Sequence, residues 1–257
     1  MKMLGCSLGI AACLASGMTA QTPPEARKTV LAVGAHAGDM EITCGAALAR
    51  YARAGDRVVL LHLTLGEGGN PKQSPQEYGT QKRREAEAAA RELGAEALFG
   101  PFKDGELPND DQARRYVAEV VRQVKPALLI THWKNSIHKD HAAAHLVTTD
   151  AVLLASLEGV ASSLPSHRGI RRVLYAENWE DKDGFQQYLY IDVSEGVPVW
   201  EKAVTQYEFI RGGISSYPYL EYYRALFRVR GAEAGLTHAE SFEIDPIGKK
   251  QVLRTLP

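Results

Sequence analysis

The sequence predicts an α/β fold, a Rossmann-like three-layer sandwich with a mainly parallel sheet. Short apolar runs rich in β-branched and small residues alternate with longer stretches of helical periodicity. The runs end in polar or glycine-rich loops, and no repeat, low-complexity tract or linker divides the chain. Alternation of this kind buries both faces of a parallel sheet under helices.

The elements follow in order. Thr29 to Gly34 predicts the first strand, and Cys44 to Ala54 a helix that stops at Gly55. Arg57 to Leu65 predicts a second strand, followed by the glycine-rich loop Gly66 to Pro71 and a helix over Pro75 to Leu93 closed by Gly94. Ala97 to Phe102 predicts a third strand, Gln112 to Val124 a helix, and Ala127 to Thr131 a fourth strand. The polar stretch His132 to Lys139 leads into a helix ending near Leu157. Arg172 to Ile191, with helices over Glu195 to Arg211 and Tyr219 to Ala234, is expected to complete the domain.

With 257 residues, 45% hydrophobic and 24% charged, the chain can bury one substantial core, so residues 21–257 are expected to form a single domain. A net charge of -1 and a pI of 6.7 give no field favouring nucleic acid or an anionic membrane. Residues 1–20 read as a secretory signal: a basic start at Lys2, an apolar run to Met18, and small residues at Ala15, Gly17 and Ala20. The expected location is therefore secreted or periplasmic. The run is short for a bilayer span, so no stable membrane insertion is expected. Ile10-Ala-Ala-Cys13 loosely matches a lipoprotein processing site, which leaves a lipid anchor as the alternative. Removal of the signal takes Cys6 and Cys13 with it, and Cys44 reads as a small buried hydrophobe. The oligomeric state is open, a homo-oligomer included.

In open parallel sheets the ligand crevice lies beyond the carboxyl ends of the strands. Three polar loops occupy those ends: His36-Ala-Gly-Asp39, Gly66-Glu-Gly68 and His132 to His141. The glycines form neither G-x-G-x-x-G nor a P-loop, so a nucleotide is not expected. A histidine and an aspartate three apart can be no more than a turn and its cap. The second cluster, His138-Lys-Asp140-His141, changes that reading. Two histidines and an aspartate from adjacent strand ends can converge as three ligands of the kind zinc accepts, with the fourth position open to water. His132 and His145 flank the cluster and read as supporting residues. Trp179, Tyr188, Tyr190, Tyr217, Tyr219, Tyr222 and Tyr223 read as packing residues, with stacking on sugar rings as the functional alternative.

The segments Gly34-Ala-His-Ala-Gly-Asp-Met-Glu-Ile42, Leu63 to Gly69, the Arg83-to-Gly94 helix, Phe102-Lys-Asp-Gly-Glu-Leu107, His138-Lys-Asp-His141 and Arg230 to Phe242 together resemble the PIG-L (LmbE-like) family of N-acetylglucosaminyl deacetylases. The resemblance implies a zinc (Zn2+) hydrolase that removes an N-acetyl group from a small amino sugar or glycoconjugate. His36, Asp39 and His141 fall on the metal-ligand positions. His138 falls on the histidine that steadies the oxyanion or protonates the leaving amine, and Asp140 on a residue that orients a histidine. Asp104 and Arg83 fall near substrate-contacting positions, with the register around Lys82-Arg83-Arg84 ambiguous by one residue.

One departure bears on the chemistry. Where the family carries the aspartate that serves as general base, this chain has Gly38. A positioned base is worth ~10²–10⁴-fold. Glu41, Asp140 and His138 are the candidates to replace it, and a catalytically weak or inactive protein that binds a sugar or cell-wall fragment is the rival reading.

Overall fold

A computed structural model of the chain describes residues 27–246 and 248–250, so the expected signal at 1–20 lies outside the described residues. The described residues form seven strands and six helices: β1 (Thr29–Gly34), α1 (Asp39–Arg53), β2 (Arg57–His62), α2 (Pro75–Leu93), β3 (Glu96–Phe99), α3 (Asp111–Val124), β4 (Leu128–Thr131), α4 (Lys139–Ser156), β5 (Arg172–Ala176), β6 (Leu189–Asp192), α5 (Val197–Val204), α6 (Tyr219–Ala234) and β7 (Ala239–Ile244). They build one sheet in the order β3-β2-β1-β4-β5-β7-β6. The first five strands in that order pair in parallel, and β7 lies antiparallel to both β5 and β6. Among the described helices none is long and apolar enough to cross a membrane.

The pleat of β1 explains the three layers. Val30 and Ala32 face a core shared with α1, α2, α5 and α6, whereas Leu31 and Val33 face a core shared with α3 and α4. A strand buried on both faces has no polar alternation, which is why β1, β2 and β4 read as continuous apolar runs. Helix boundaries are set by local chemistry. Ser74 and Glu77 form a reciprocal capping box before Pro75, and Gly94 closes α2 at φ 72°. Asp110 accepts from Ala113 N to start α3.

Three elements differ from the sequence expectation. Helix α1 begins at Asp39, five residues before Cys44, because Gly38 at φ 109° turns the chain directly from the β1 loop into the helix. The stretch 195–211 holds only the eight-residue α5, followed by hydrogen-bonded turns. Strand β7 escapes a reading by pattern because three of its six residues, Glu240, Ser241 and Glu243, are polar and yet buried. Each has a partner: Glu240 accepts from Ala46 N and Ala47 N, Ser241 donates to Glu177, and Glu243 accepts from Gln186 N. Glu240 thereby ties the middle of α1 to the far half of the sheet. Trp200 of α5 reinforces that tie, donating from Nε1 to Ile42 O at 3.2 Å.

Candidate metal centre and active site

The parallel register aligns the carboxyl ends of β1 and β4, Val33 beside Thr131, so the loops that follow them meet over the sheet. Asp39, in the first turn of α1, receives His36 N at 2.7 Å, which folds the two residues toward each other. His141 arrives from the first turn of α4. His36 Nδ1 then lies 3.3 Å and His141 Nε2 3.5 Å from Asp39 Oδ2. Ligand atoms about 2.0–2.2 Å from a tetrahedral ion stand about 3.3–3.6 Å from one another, the same spacing.

The outer contacts of the two histidines fix which nitrogen carries the proton. His36 Nε2 faces Asp104 Oδ1 at 3.1 Å and Asp140 Oδ2 at 3.4 Å. His141 Nδ1 faces Asp181 Oδ1 and Ser136 Oγ, both at 3.4 Å. In its neutral form, with the proton on the outer nitrogen, each ring would turn a lone pair toward Asp39. Groups able to hold a metal ion overlap here: His36 with His138 and His141, and Asp39 with His132 and His141, each bring three ligand atoms within 4.8 Å of one another.

His132 presses on the same atom. Its Nε2 lies 3.1 Å from Asp39 Oδ2, and its Nδ1 lies 3.4 Å from Asp181 Oδ2. Two demands compete at Nε2. Ala35 N donates to it at 3.1 Å, which calls for a neutral ring, yet against burial the carboxylates of Asp181 and Asp39 push His132 up to about 9. A cation held by His36, Asp39 and His141 would ease the conflict by offsetting the charge of Asp39.

Charge in the cluster follows the same contacts. Burial disfavours a charged His36, but Asp39, Asp104 and Asp140 outweigh it and hold the ring well above its ordinary value. Asp39, despite burial, is held well below the carboxylate range by His141, His36 and His132. Burial and the neighbouring His132 push His141 down to about 4. Asp181, also buried, is held far below the carboxylate range by His132 and His141.

A cavity of about 240 Å³ opens on the cluster. Of the sequence candidates, His36, Asp39, Asp104, His138 and His141 line it. His138 caps α4 by accepting from Asp140 N at Nδ1, which leaves Nε2 to carry the proton. Asp140, wholly buried, receives Gly105 N and faces His36. Glu41 does not join them. It is sealed beneath α1, accepting from Tyr207 Oη at 2.6 Å with His62 Nε2 at 3.5 Å, and it forms no part of the cavity wall. Arg83 also lies elsewhere, its guanidinium 4.0 Å over the ring of Phe99 in a neighbouring cleft that Asp104 shares. Lys82 and Tyr78 are the residues of α2 that line the cavity, and Arg83 is not among them. His145 faces away, with Nδ1 2.9 Å from His132 O. Trp179, Tyr219 and Tyr223 line the cavity, and Trp179 stacks on Tyr217 at 4.2 Å.

Sequence reasoning missed Asp181 and Glu180. Asp181 bridges His132 and His141, and Glu180 lines the cavity with Oε2 3.6 Å from His141 Nδ1. Burial, then the charges of Asp39 and Asp181, push Glu180 up to about 7. Both follow β5 in Asn178-Trp-Glu-Asp181, the strand-end loop next to that of β4, and this position is the signal that could have found them.

Comparison with known proteins agrees with the geometry. Residues 31–152 match the PIG-L family, described as GlcNAc-PI de-N-acetylase. A 1D-myo-inositol 2-acetamido-2-deoxy-alpha-D-glucopyranoside deacetylase of Salinispora arenicola is 32% identical over 170 residues, 54% of this chain and 54% of the relative. The match thus spans about half the length of that relative. A 4-oxalmesaconate hydratase of Pseudomonas putida is 24% identical over 84% of this chain and 86% of its own. The crystal structure of a conserved protein of Thermus thermophilus superposes with a TM-score of 0.76 at 26% identity, covering 90% of this chain and all of the other. The PIG-L family match falls on residues 31–152, the stretch that carries His36, Asp39 and His141.

Proposed function

We propose that the chain is a zinc-dependent hydrolase that removes an N-acetyl group from an amino sugar or glycoconjugate. The observation that carries this reading is the approach of His36 Nδ1 and His141 Nε2 to Asp39 Oδ2, at 3.3 and 3.5 Å, on the wall of a cavity. The name of the family and that of the Salinispora relative support the substrate class. Zinc held by His36, Asp39 and His141 would supply Lewis acidity toward the acyl oxygen and a nucleophilic water at neutral pH. His138, neutral and protonated at Nε2, donates to the oxygen as negative charge develops there. With glycine at position 38, Glu180 is the carboxylate best placed to receive the proton of the attacking water. It lines the same cavity, and its Oε2 is buried without a hydrogen-bond partner. The proton then passes to the departing amine, so that one amide and one water yield a carboxylic acid and an amine. The signal-like composition of residues 1–20 supports an activity outside the cytoplasm.

The hydratase relative, aligned over most of the chain, favours a second reading in which the same site adds water across a carbon–carbon double bond. Amine release from N-acetylated amino sugars by zinc-loaded protein, with loss on His141→Ala, supports the deacetylase. Consumption of 4-oxalmesaconate without amine release supports the hydratase. Stoichiometric zinc with neither turnover leaves a sugar-binding protein.

A further inference from the structure

Among the described residues, Lys82 is the one lysine or arginine on the cavity wall. Its residue is 4% exposed, and Nζ donates to Ala37 O at 2.5 Å. Among the described residues no carboxylate lies within ion-pair distance of it. The rings of Phe209 and Tyr207, 4.2 and 4.7 Å from Nζ, hold the ammonium without consuming a hydrogen bond. Two of its three N–H groups are left without a hydrogen-bond partner among the described residues.

Tyr78 stands one turn earlier on α2, on the same face, and also lines the cavity. Its ring is buried, and among the described residues its hydroxyl has no hydrogen-bond partner. The glycine-rich loop lies against both side chains. A Cβ on Gly66 would lie 3.7 Å from Lys82 Cε, and one on Gly69 would lie 3.8 Å from Tyr78 Cε1. An ammonium and a hydroxyl with unspent donors, four residues apart on one helix face and on one cavity wall, can each donate to an oxygen of a bound carboxylate. Burial pushes Lys82 down to about 8 against the charges of Asp39, Glu85, Glu41 and Asp104, none of which pairs with it directly, and a ligand anion in contact with the ammonium offsets part of that desolvation cost.

We propose that Lys82 and Tyr78 form a subsite for a carboxylate carried by the substrate, beside the metal-ligating cluster. The substrate class is therefore anionic: an acylated amino sugar that bears an acid group, or an unsaturated polycarboxylate, rather than a neutral amino sugar. This inference rests on reading the cavity as the substrate site, and it holds for either reaction proposed above.

The test is calorimetric binding to zinc-loaded protein, with succinate and its neutral diamide, succinamide, as probes. The native protein is expected to bind succinate at least tenfold more tightly than succinamide. Lys82→Met should lose about tenfold or more of the succinate affinity at unchanged zinc content, Lys82→Arg should stay within a few-fold, and Tyr78→Phe should show a smaller loss than Lys82→Met. Equal affinity for the two probes, or succinate binding unchanged in both Lys82→Met and Tyr78→Phe, overturns the proposal. If Lys82→Met does not fold, Tyr78→Phe and the native comparison still decide. Succinate binding that depends on Lys82, in a protein that releases no amine, sinks the deacetylase reading and leaves the subsite standing. Release of amine from neutral N-acetylglucosamine without any carboxylate preference does the reverse.

Discussion

The ring of Phe209 occupies the space into which a side chain at position 38 would extend: a Cβ built on Gly38 would lie 3.1 Å from Phe209 Cζ. Gly38 also sits at φ 109°, where a residue with a Cβ is strained. Glycine here is thus a condition of the surrounding packing as well as a missing carboxylate. Gly38→Asp is expected to lower stability by about 1–3 kcal/mol and to leave turnover within a few-fold of the native protein. Pairing it with Phe209→Ala removes the ring but not the backbone strain. Thermal unfolding and turnover with amino-sugar substrates check both variants; a stable Gly38→Asp with tenfold higher turnover would show that Phe209 is no barrier.

Asp181 holds His132 through one oxygen and His141 through the other. Its replacement by asparagine keeps the shape but removes the charge that keeps the proton of His141 on Nδ1. Asp181→Asn is expected to weaken zinc binding by ~10–100-fold, measured by competition with a chromophoric chelator. Undiminished affinity would mean that Ser136 or Glu180 alone orients the ring.

Arg122 gathers the carbonyls at the end of α4 and beyond it. Its guanidinium donates to Leu154, Ala155, Leu157, Val160 and Leu164 at 2.7 to 3.3 Å. Arg122→Met leaves several of these acceptors without a donor. A loss of about 3 kcal/mol in urea unfolding is expected, with zinc affinity unchanged in the folded protein. A loss below about 1 kcal/mol would mean that water replaces the guanidinium.

Glu240 gives stability a pH dependence. Burial pushes its carboxyl up from 4.5 to about 8, although the amides of Ala47 and Ala46 act in the opposite direction. The folded state then holds a proton that the unfolded chain releases, so this contribution is complete below the unfolded value and is lost as pH rises toward about 8. Denaturant midpoints are expected to fall between about pH 5 and 8, and Glu240→Gln should flatten that slope. An identical slope in the variant would assign the pH dependence to other groups.

The parallel half of the sheet was legible because strands buried on both faces leave continuous apolar runs, as Thr29 to Gly34 does. The cluster of His36, Asp39, His138 and His141 was legible because it sits on loops at strand ends. The second half was harder. Strand β7 keeps its carboxylates inside, satisfied by partners as distant in sequence as Ala46, so no local pattern announces it. Glu41 and Arg83 attracted attention by their neighbours in sequence, but a helix turns each residue by about 100°, which sends Glu41 to Tyr207 and Arg83 to Phe99 while Lys82 reaches the cavity.

The placement of β7 between β5 and β6 has a kinetic consequence. Among the described residues β6 pairs only with β7, and Glu240 on β7 clamps the helix that carries Asp39. Residues 239–244 are translated after every other strand, so the parallel half can collapse early while β6 waits for its neighbour. Closure over such sequence separations costs more entropy than local pairing, so the clamp of Glu240 on α1 is expected to form after the parallel half. A nascent chain therefore builds its frame before its clamp.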